Sequence, residues 1–237
     1  MRLLVFCLSV LLLFNCEDTD SKKNKTKKPN TTVKKIETPP TDTIVKQEEI
    51  TREFPQLGDE NAMEFFLQYE KEHKENKVRL ITDFGTIEIL LFNETKFHRA
   101  NFIFLTKQHY FDATQFYRVV KNFIVQAGNS DDIETVNKRN YIGKYLLPTD
   151  AKRGFTHERG VVSMPSSEIE NPHKLASPFE FFIVVPEHGA HHLDGNYTIF
   201  GKVTKGMDVV DKISEVETDR AEWPLRNIYI KKVEIIN

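Results

Sequence analysis

The sequence predicts an all-β domain built on a closed sheet, and three observations carry that expectation. Short runs rich in valine, isoleucine and aromatics recur from residue 78 to residue 236, separated by turn residues. Segments with helical spacing are few, the balance of a sheet closed on itself rather than of layered helices. Residues 116–128, FYRVVKNFIVQAG, read as two strands about a tight turn at Lys121-Asn122. Arg118 inside the first of these runs stands out, because arginine is seldom buried unless a carboxylate holds it or a ligand meets it.

At 237 residues and a formal net charge of −2, the chain allows one ordinary domain with appendages, and nothing in that balance calls for nucleic acid. Residues 1–16 carry Arg2, then an apolar run over 3–14, then Asn15-Cys16. This has the layout of an export signal, its run being short of the ~20 residues that a membrane-spanning helix needs. The ending LLFNC resembles a bacterial lipobox, although Phe14 and Asn15 depart from the small residues usual there. Cys16 is therefore expected to be lipidated after removal of a signal over 1–15. Cys7 lies within that signal, so the exported part has no pair for an internal disulfide.

Residues 16–57 are rich in Lys, Thr, Asp, Glu, Pro and Asn, and such a stretch buries too little to offset its ordering entropy. A disordered tether is expected, its lysine cluster at 22–35 a solvated face. Residues 58–76 read as a helix plus flanks, with Ala62, Phe65, Phe66 and Tyr69 on one apolar face. That face should rest on the domain that follows, over 77–237.

The domain opens with a hairpin over 78–92, turning at Gly85-Thr86. Residues 99–110 read as a helix, and the central hairpin follows. Residues 129–156 are polar and read as an irregular surface excursion. From Gly160 short apolar strands return, broken by loops at 166–178 and 186–192. A brief helix over 206–214 and an alternating strand over 226–236 end the chain. No internal repeat is present.

Arg118, Phe123 and Gln126 stand at the spacing of the signature of cyclophilin-type peptidyl-prolyl isomerases, which this chain resembles. GVVSMP at 160–165, FEFFI at 179–183, LDGNYTIFGKV at 193–203 and GMDVVDKI at 206–213 follow in the family's order. The resemblance covers most of residues 78–237. It implies an eight-stranded antiparallel barrel capped by two helices, matched here by 99–110 and 206–214. It also implies catalysis by Arg118 and substrate binding by Phe123, Ile124, Gln126, Pro165, Ser166, Glu180, Phe182, His192, Leu193 and Tyr197.

Such chemistry needs neither nucleophile nor metal, and no cofactor is expected. The peptide bond resists rotation by ~18–20 kcal/mol, and before proline uncatalysed exchange takes tens to hundreds of seconds. Shortening that to about ten milliseconds takes about 10⁴-fold acceleration, or about 5.4 kcal/mol. A site has only to favour the twisted amide over either planar form. A guanidinium that donates to the nitrogen lone pair only after the bond has twisted does this, and its charge is present at every relevant pH. Phe123, Ile124, Phe182 and Leu193, by resemblance, hold the proline ring and strip water from the amide.

Register raises a difficulty. With a two-residue turn at Lys121-Asn122, Arg118 shares a face with Phe123 and Val125 while Gln126 points the other way, so a bulge or strong twist after Phe123 is expected. Ile124, Ala127, Pro165, His192 and Tyr197 depart from the family's usual Met, Gly, Ala, Trp and His. The family's Trp lines the groove that binds cyclosporin, so His192 implies weak inhibition. Glu180 replaces a usual Gln near the catalytic arginine and is expected either to pair with Arg118 or to face solvent. HGAHH at 188–192 lacks a Cys or a convincing fourth ligand, so no metal is expected.

The function expected is a peptidyl-prolyl isomerase acting on proline-containing unfolded or nascent exported polypeptides. Its place is the cell envelope of a Gram-negative-type bacterium, with a lipid anchor into the membrane. The alternative is a non-catalytic proline-binding or chaperone module using the same groove; a carrier barrel is disfavoured because nothing suggests a lumen. A monomer is expected, since a closed barrel exposes few strand edges.

Overall fold

The computed structural model describes residues 52–166 and 170–237. The signal, Cys16 and most of the expected tether lie outside the described residues. The chain runs β1 (Leu57–Gly58), α1 (Ala62–Glu72), β2 (Lys77–Thr82), β3 (Thr86–Leu91), α2 (Lys96–Lys107), β4 (Gln115–Val120) and β5 (Ile124–Asn129). Then follow α3 (Ile133–Ile142), β6 (Gly143–Lys144), β7 (Val161–Ser163), β8 (Phe181–Val184), β9 (Ile199–Lys205), α4 (Met207–Ser214) and β10 (Ile230–Ile235).

Eight strands form one antiparallel sheet in the order β10-β2-β3-β9-β7-β8-β5-β4. Its two ends meet through the Gln115–Tyr229 bridge and bonds such as Ile230 N–H to Thr114 O at 2.8 Å and Phe116 N–H to Ile228 O at 2.9 Å. The result is a nearly closed barrel. β2 and β3 bury alternate residues, so Val78, Leu80, Ile87, Ile89 and Leu91 face inward. Gly85, at φ 137°, allows their turn to lie close under Val209 of α4.

The helix α2 is buried on nearly all sides because it is covered on both. Phe102 enters the barrel, 4.5 Å from Phe111 and 5.5 Å from Phe181 between ring centroids. Phe104 faces the other way, 4.9 Å from Phe54, 5.1 Å from Phe65 and 5.4 Å from Tyr69. α1 thus lies over α2, and α4 covers other strands with Val209, Val210 and Ile213 buried.

Two expectations need correction. Phe54 and Leu57 are buried, and β1 pairs in parallel with β6, so the packed body starts upstream of the tether's expected end at residue 57. A composition window averages out two apolar residues in a polar run, although those two suffice to dock it. Residues 129–156 are also not wholly irregular, because α3 lies within them. Its N-terminus is capped by the Asp132 carboxylate, which accepts the Glu134 N–H at 2.6 Å. Its pattern is hard to read because Ile133, Val136 and Tyr141 remain exposed.

Candidate active site

The central hairpin sets the site. Its loop has three residues, not two: Val120 pairs with Ile124, and Phe123 N–H returns to Val120 O at 3.0 Å. Asn122 takes the left-handed conformation at φ 57°, which asparagine tolerates better than most residues. The extra residue slides the register by one, and Arg118 becomes the direct partner of Gln126. No bulge after Phe123 is needed. The irregularities lie at the other end of β4, between Gln115 and Arg118, where Tyr117 is the additional residue. Such a bulge turns neighbouring side chains toward one side. Tyr117 and Arg118 accordingly both reach Gln126.

The polar contacts fix the donors. Gln126 Nε2 donates to the Tyr117 hydroxyl, which leaves Gln126 Oε1 to accept from Arg118 Nη1 at 3.4 Å. Arg118 donates Nε–H and Nη2–H to one Glu222 oxygen, at 2.7 and 2.6 Å. Burial pushes the Tyr117 hydroxyl pKa well up, and the neighbouring Glu180 carboxylate adds to the rise.

Around this arginine lies a groove of about 530 Å³ lined by Phe123, Ile124, Pro165, Ser166, Phe182, Leu193 and Tyr197 together with Arg118 and Gln126. Its floor belongs to a small apolar cluster with Val161, Val184, Ala190 and Ile199, apart from the main core. Tyr197 meets Phe182 edge-on at 5.8 Å. His192 is exposed at the rim and stacks on Phe123 at 5.2 Å.

The wall carrying Leu193 is pinned from behind. His157 is fully buried; its Nδ1 lies 2.8 Å from Asp194 Oδ1, which also accepts the His157 N–H at 2.7 Å. Burial lowers the His157 pKa, with the Asp194 contact opposing. Ser163 approaches His157 Nε2 at 3.2 Å, but it is buried and its hydroxyl donates to Thr198 O, so this Ser–His–Asp line is bracing and not a nucleophile.

A wider groove of about 860 Å³ adjoins the first, sharing Gln126 and Ser166 and lined further by Tyr117, Arg139, Tyr145 and Glu180. Here the structure departs from expectation. Glu180 neither pairs with Arg118 nor faces solvent: its carboxylate lies 3.4 Å from Arg139 Nη2 and is mostly buried. Arg139 comes from α3, and its Nε–H also donates to the Tyr110 hydroxyl at 2.7 Å. α3 thus supplies the partner that Glu180 was expected to take from the hairpin.

Nine of the expected site residues line the 530 Å³ groove, His192 stands at its rim and Glu180 in the adjoining one. Glu222, Tyr117 and Arg139 were missed. Glu222 lies 104 residues from Arg118 in the chain, and no local pattern marks it. Tyr117 stands beside Arg118 in an aromatic-rich strand, but its reach to Gln126 depends on a bulge and a register that no sequence pattern marks.

The comparisons with known proteins bear on the family and the fold. The family described as cyclophilin type peptidyl-prolyl cis-trans isomerase/CLD matches over residues 77–235. Peptidyl-prolyl cis-trans isomerase-like 2 of Rhizopus delemar is 36% identical over 169 residues, 70% of this chain and 30% of that protein. A peptidyl-prolyl cis-trans isomerase of Acinetobacter baylyi is 34% identical over 145 residues, 60% of this chain and 73% of the relative. The crystal structure of a Cryptosporidium parvum cyclophilin type isomerase superposes with a TM-score of 0.58 at 26% identity, covering 69% of this chain and 98% of that one.

Proposed function

The chain belongs to the cyclophilin-type peptidyl-prolyl cis-trans isomerase family, and on that premise we propose that it catalyses rotation about X-Pro bonds in exported polypeptides with Arg118 as the catalytic residue. What supports the reading is that Arg118, whose Nη1 makes only a 3.4 Å contact to Gln126, lines a small apolar groove of about 530 Å³, a size suited to a proline ring and its flanking backbone. The ring rests on Phe123, Ile124, Phe182 and Leu193, which exclude water from the amide and weaken the polar planar form. As the bond twists, its nitrogen becomes a hydrogen-bond acceptor, and Arg118 meets it there. That stabilisation exists mainly in the transition state, which is the condition for acceleration. Gln126, oriented by Tyr117, is placed to hold a substrate main-chain group.

Arg118→Ala in the full chain should lower kcat/KM for a proline peptide by about 10²- to 10³-fold, the usual cost of one preorganised donor. An unchanged rate would overturn the catalytic reading; retained peptide binding without turnover in the wild type would leave a proline-binding module.

The cellular role rests on residues 1–16. An apolar run, a terminal cysteine and a polar stretch after it support lipidation of Cys16 as the first mature residue, which would hold the domain at a membrane of the cell envelope. Mass spectrometry of membrane-extracted protein tests this: a lipidated Cys16 is expected, and an intact Met1 or an unmodified Cys16 contradicts it.

A further inference from the structure

We propose that Glu222 is a positioning residue for the isomerase reaction: from a braced loop after α4 it holds the Arg118 guanidinium with its Nη1 toward Gln126 and the groove. The inference rests on Arg118 being the catalytic residue.

Three features of the loop carry it. Glu222 grips β4 twice, through its carboxylate on Arg118 Nε and Nη2 and through its carbonyl, which accepts the Val119 N–H at 2.8 Å. Its backbone is left-handed at φ 67°, a conformation that a glutamate adopts only where its surroundings impose it. Asp219 imposes it: its carboxylate accepts the N–H groups of Ala221 and Trp223 at 2.8 and 3.0 Å, and its carbonyl accepts the Glu222 N–H at 3.1 Å. Trp223 then packs beside Tyr117, with ring centroids 5.7 Å apart. The loop is thus tied to the two consecutive residues of β4 that contact Gln126.

Which edge of the guanidinium is occupied decides the sign. Glu222 takes Nε and Nη2, while Nη1 reaches Gln126, which lines the groove. A carboxylate on the groove edge would compete with the twisted amide and slow turnover. One on the side edge leaves Nη1 with only its 3.4 Å contact to Gln126 and removes rotamer freedom that an arginine with about one third of its side chain exposed would otherwise keep. Orientation is retained through the reaction, so its loss falls on kcat and not on substrate affinity.

The test compares wild type, Glu222→Gln, Glu222→Ala and Arg118→Ala in the full chain. For both Glu222 variants kcat should fall about tenfold with KM within about twofold. The Arg118 Nε–H resonance should lose its protection from solvent exchange, and thermal stability should hold, as is usual for a half-exposed pair. Glu222→Asp, which keeps the charge, should recover part of the rate. Unchanged or raised kcat in both Glu222 variants while Arg118→Ala is inactive would overturn this inference alone. Full activity in Arg118→Ala would remove the isomerase reading beneath it.

Discussion

Arg99 and Arg118 both sit among apolar neighbours and both carry a carboxylate partner, yet the fold uses them in opposite ways. Arg99 lies in α2 with 2% of its side chain exposed. It donates to Glu70 Oε2 at 3.3 Å and, through Nη1, to the carbonyls of His73 and Glu75 at 3.0 and 3.2 Å. Its Nη1 and Nη2 tie α1 and the turn after it to α2, while the buried Nε has no hydrogen-bond partner among the described residues and this arginine lines neither groove of the site. Arg118 is 35% exposed, has Glu222 on one edge and presents the other beside an apolar groove. A paired arginine among hydrophobic residues therefore says nothing by itself about chemistry. A guanidinium that lines an apolar groove, with only a 3.4 Å contact to Gln126 on its Nη1, does.

The strongest way to break this contrast is to remove the charge of Arg99 while keeping its bulk. Arg99→Met strands the two carbonyls and leaves Glu70 to Lys74 and Lys96, at 2.6 and 3.9 Å. Denaturant unfolding should show a loss of about 3 kcal/mol, the low end for breaking a buried pair because Glu70 keeps partners. That corresponds to a fall in Tm of roughly 6–12 °C for a domain of this size. The kcat of the folded fraction should stay at the wild-type value. A loss of kcat with intact stability would mean that the two arginines had been assigned the wrong way round.

The same contrast shows what the sequence could reveal. The groove residues were legible because Arg118, Phe123, Phe182 and Leu193 fall in contiguous motifs whose order survives in one chain. The barrel was legible from repeated short apolar runs. Register was not, because one left-handed asparagine lengthens the loop and no hydrophobic pattern distinguishes two turn residues from three. α3 escaped because Ile133, Val136 and Tyr141 stay exposed and only Ile142 at its end enters the core, and periodicity reports burial and not helicity as such. Glu222 escaped because a contact across 104 residues leaves no local trace. Arg99 was read only as part of a helix; its burial follows from α1 lying over α2.

Acidification should separate the two regions further, because the sensitive group lies beside Arg99. His98 is fully buried in α2, neither ring nitrogen has a hydrogen-bond partner among the described residues, and burial lowers its pKa to about 4. The folded-state value lies below the unfolded one of about 6.5, so between the two the unfolded chain binds a proton that the folded chain refuses. This stability is complete above about pH 6.5 and is lost as pH falls toward 4, by about 2 kcal/mol at pH 5. His98→Leu should flatten that part of the stability profile. Comparing variant with wild type cancels the background from carboxylates, whose losses come at lower pH. An identical slope in both would show that His98 takes up its proton without unfolding.

The smallest effect should come from Glu180, and it sharpens the assignment of Arg118's partner. Glu180 pairs with Arg139 and lies near enough to the Tyr117 hydroxyl for its charge to raise that pKa, and the hydroxyl in turn receives Gln126. Its route to Arg118 passes through two neutral side chains and not through a charge pair. Glu180→Gln keeps the shape of the side chain beside Tyr117, so the contact of Tyr117 with Gln126 persists. Only the attraction to Arg139 weakens, and that arginine retains the Tyr110 hydroxyl. Turnover should therefore change by less than about twofold, within the range of a partly buried pair with its hydrogen bonds preserved. A larger change in turnover, with stability unchanged, would place the Glu180 charge on Arg118 during the reaction. Arg118 would then share two carboxylates, and its groove side would be occupied much as the Arg99 Nη1 and Nη2 are.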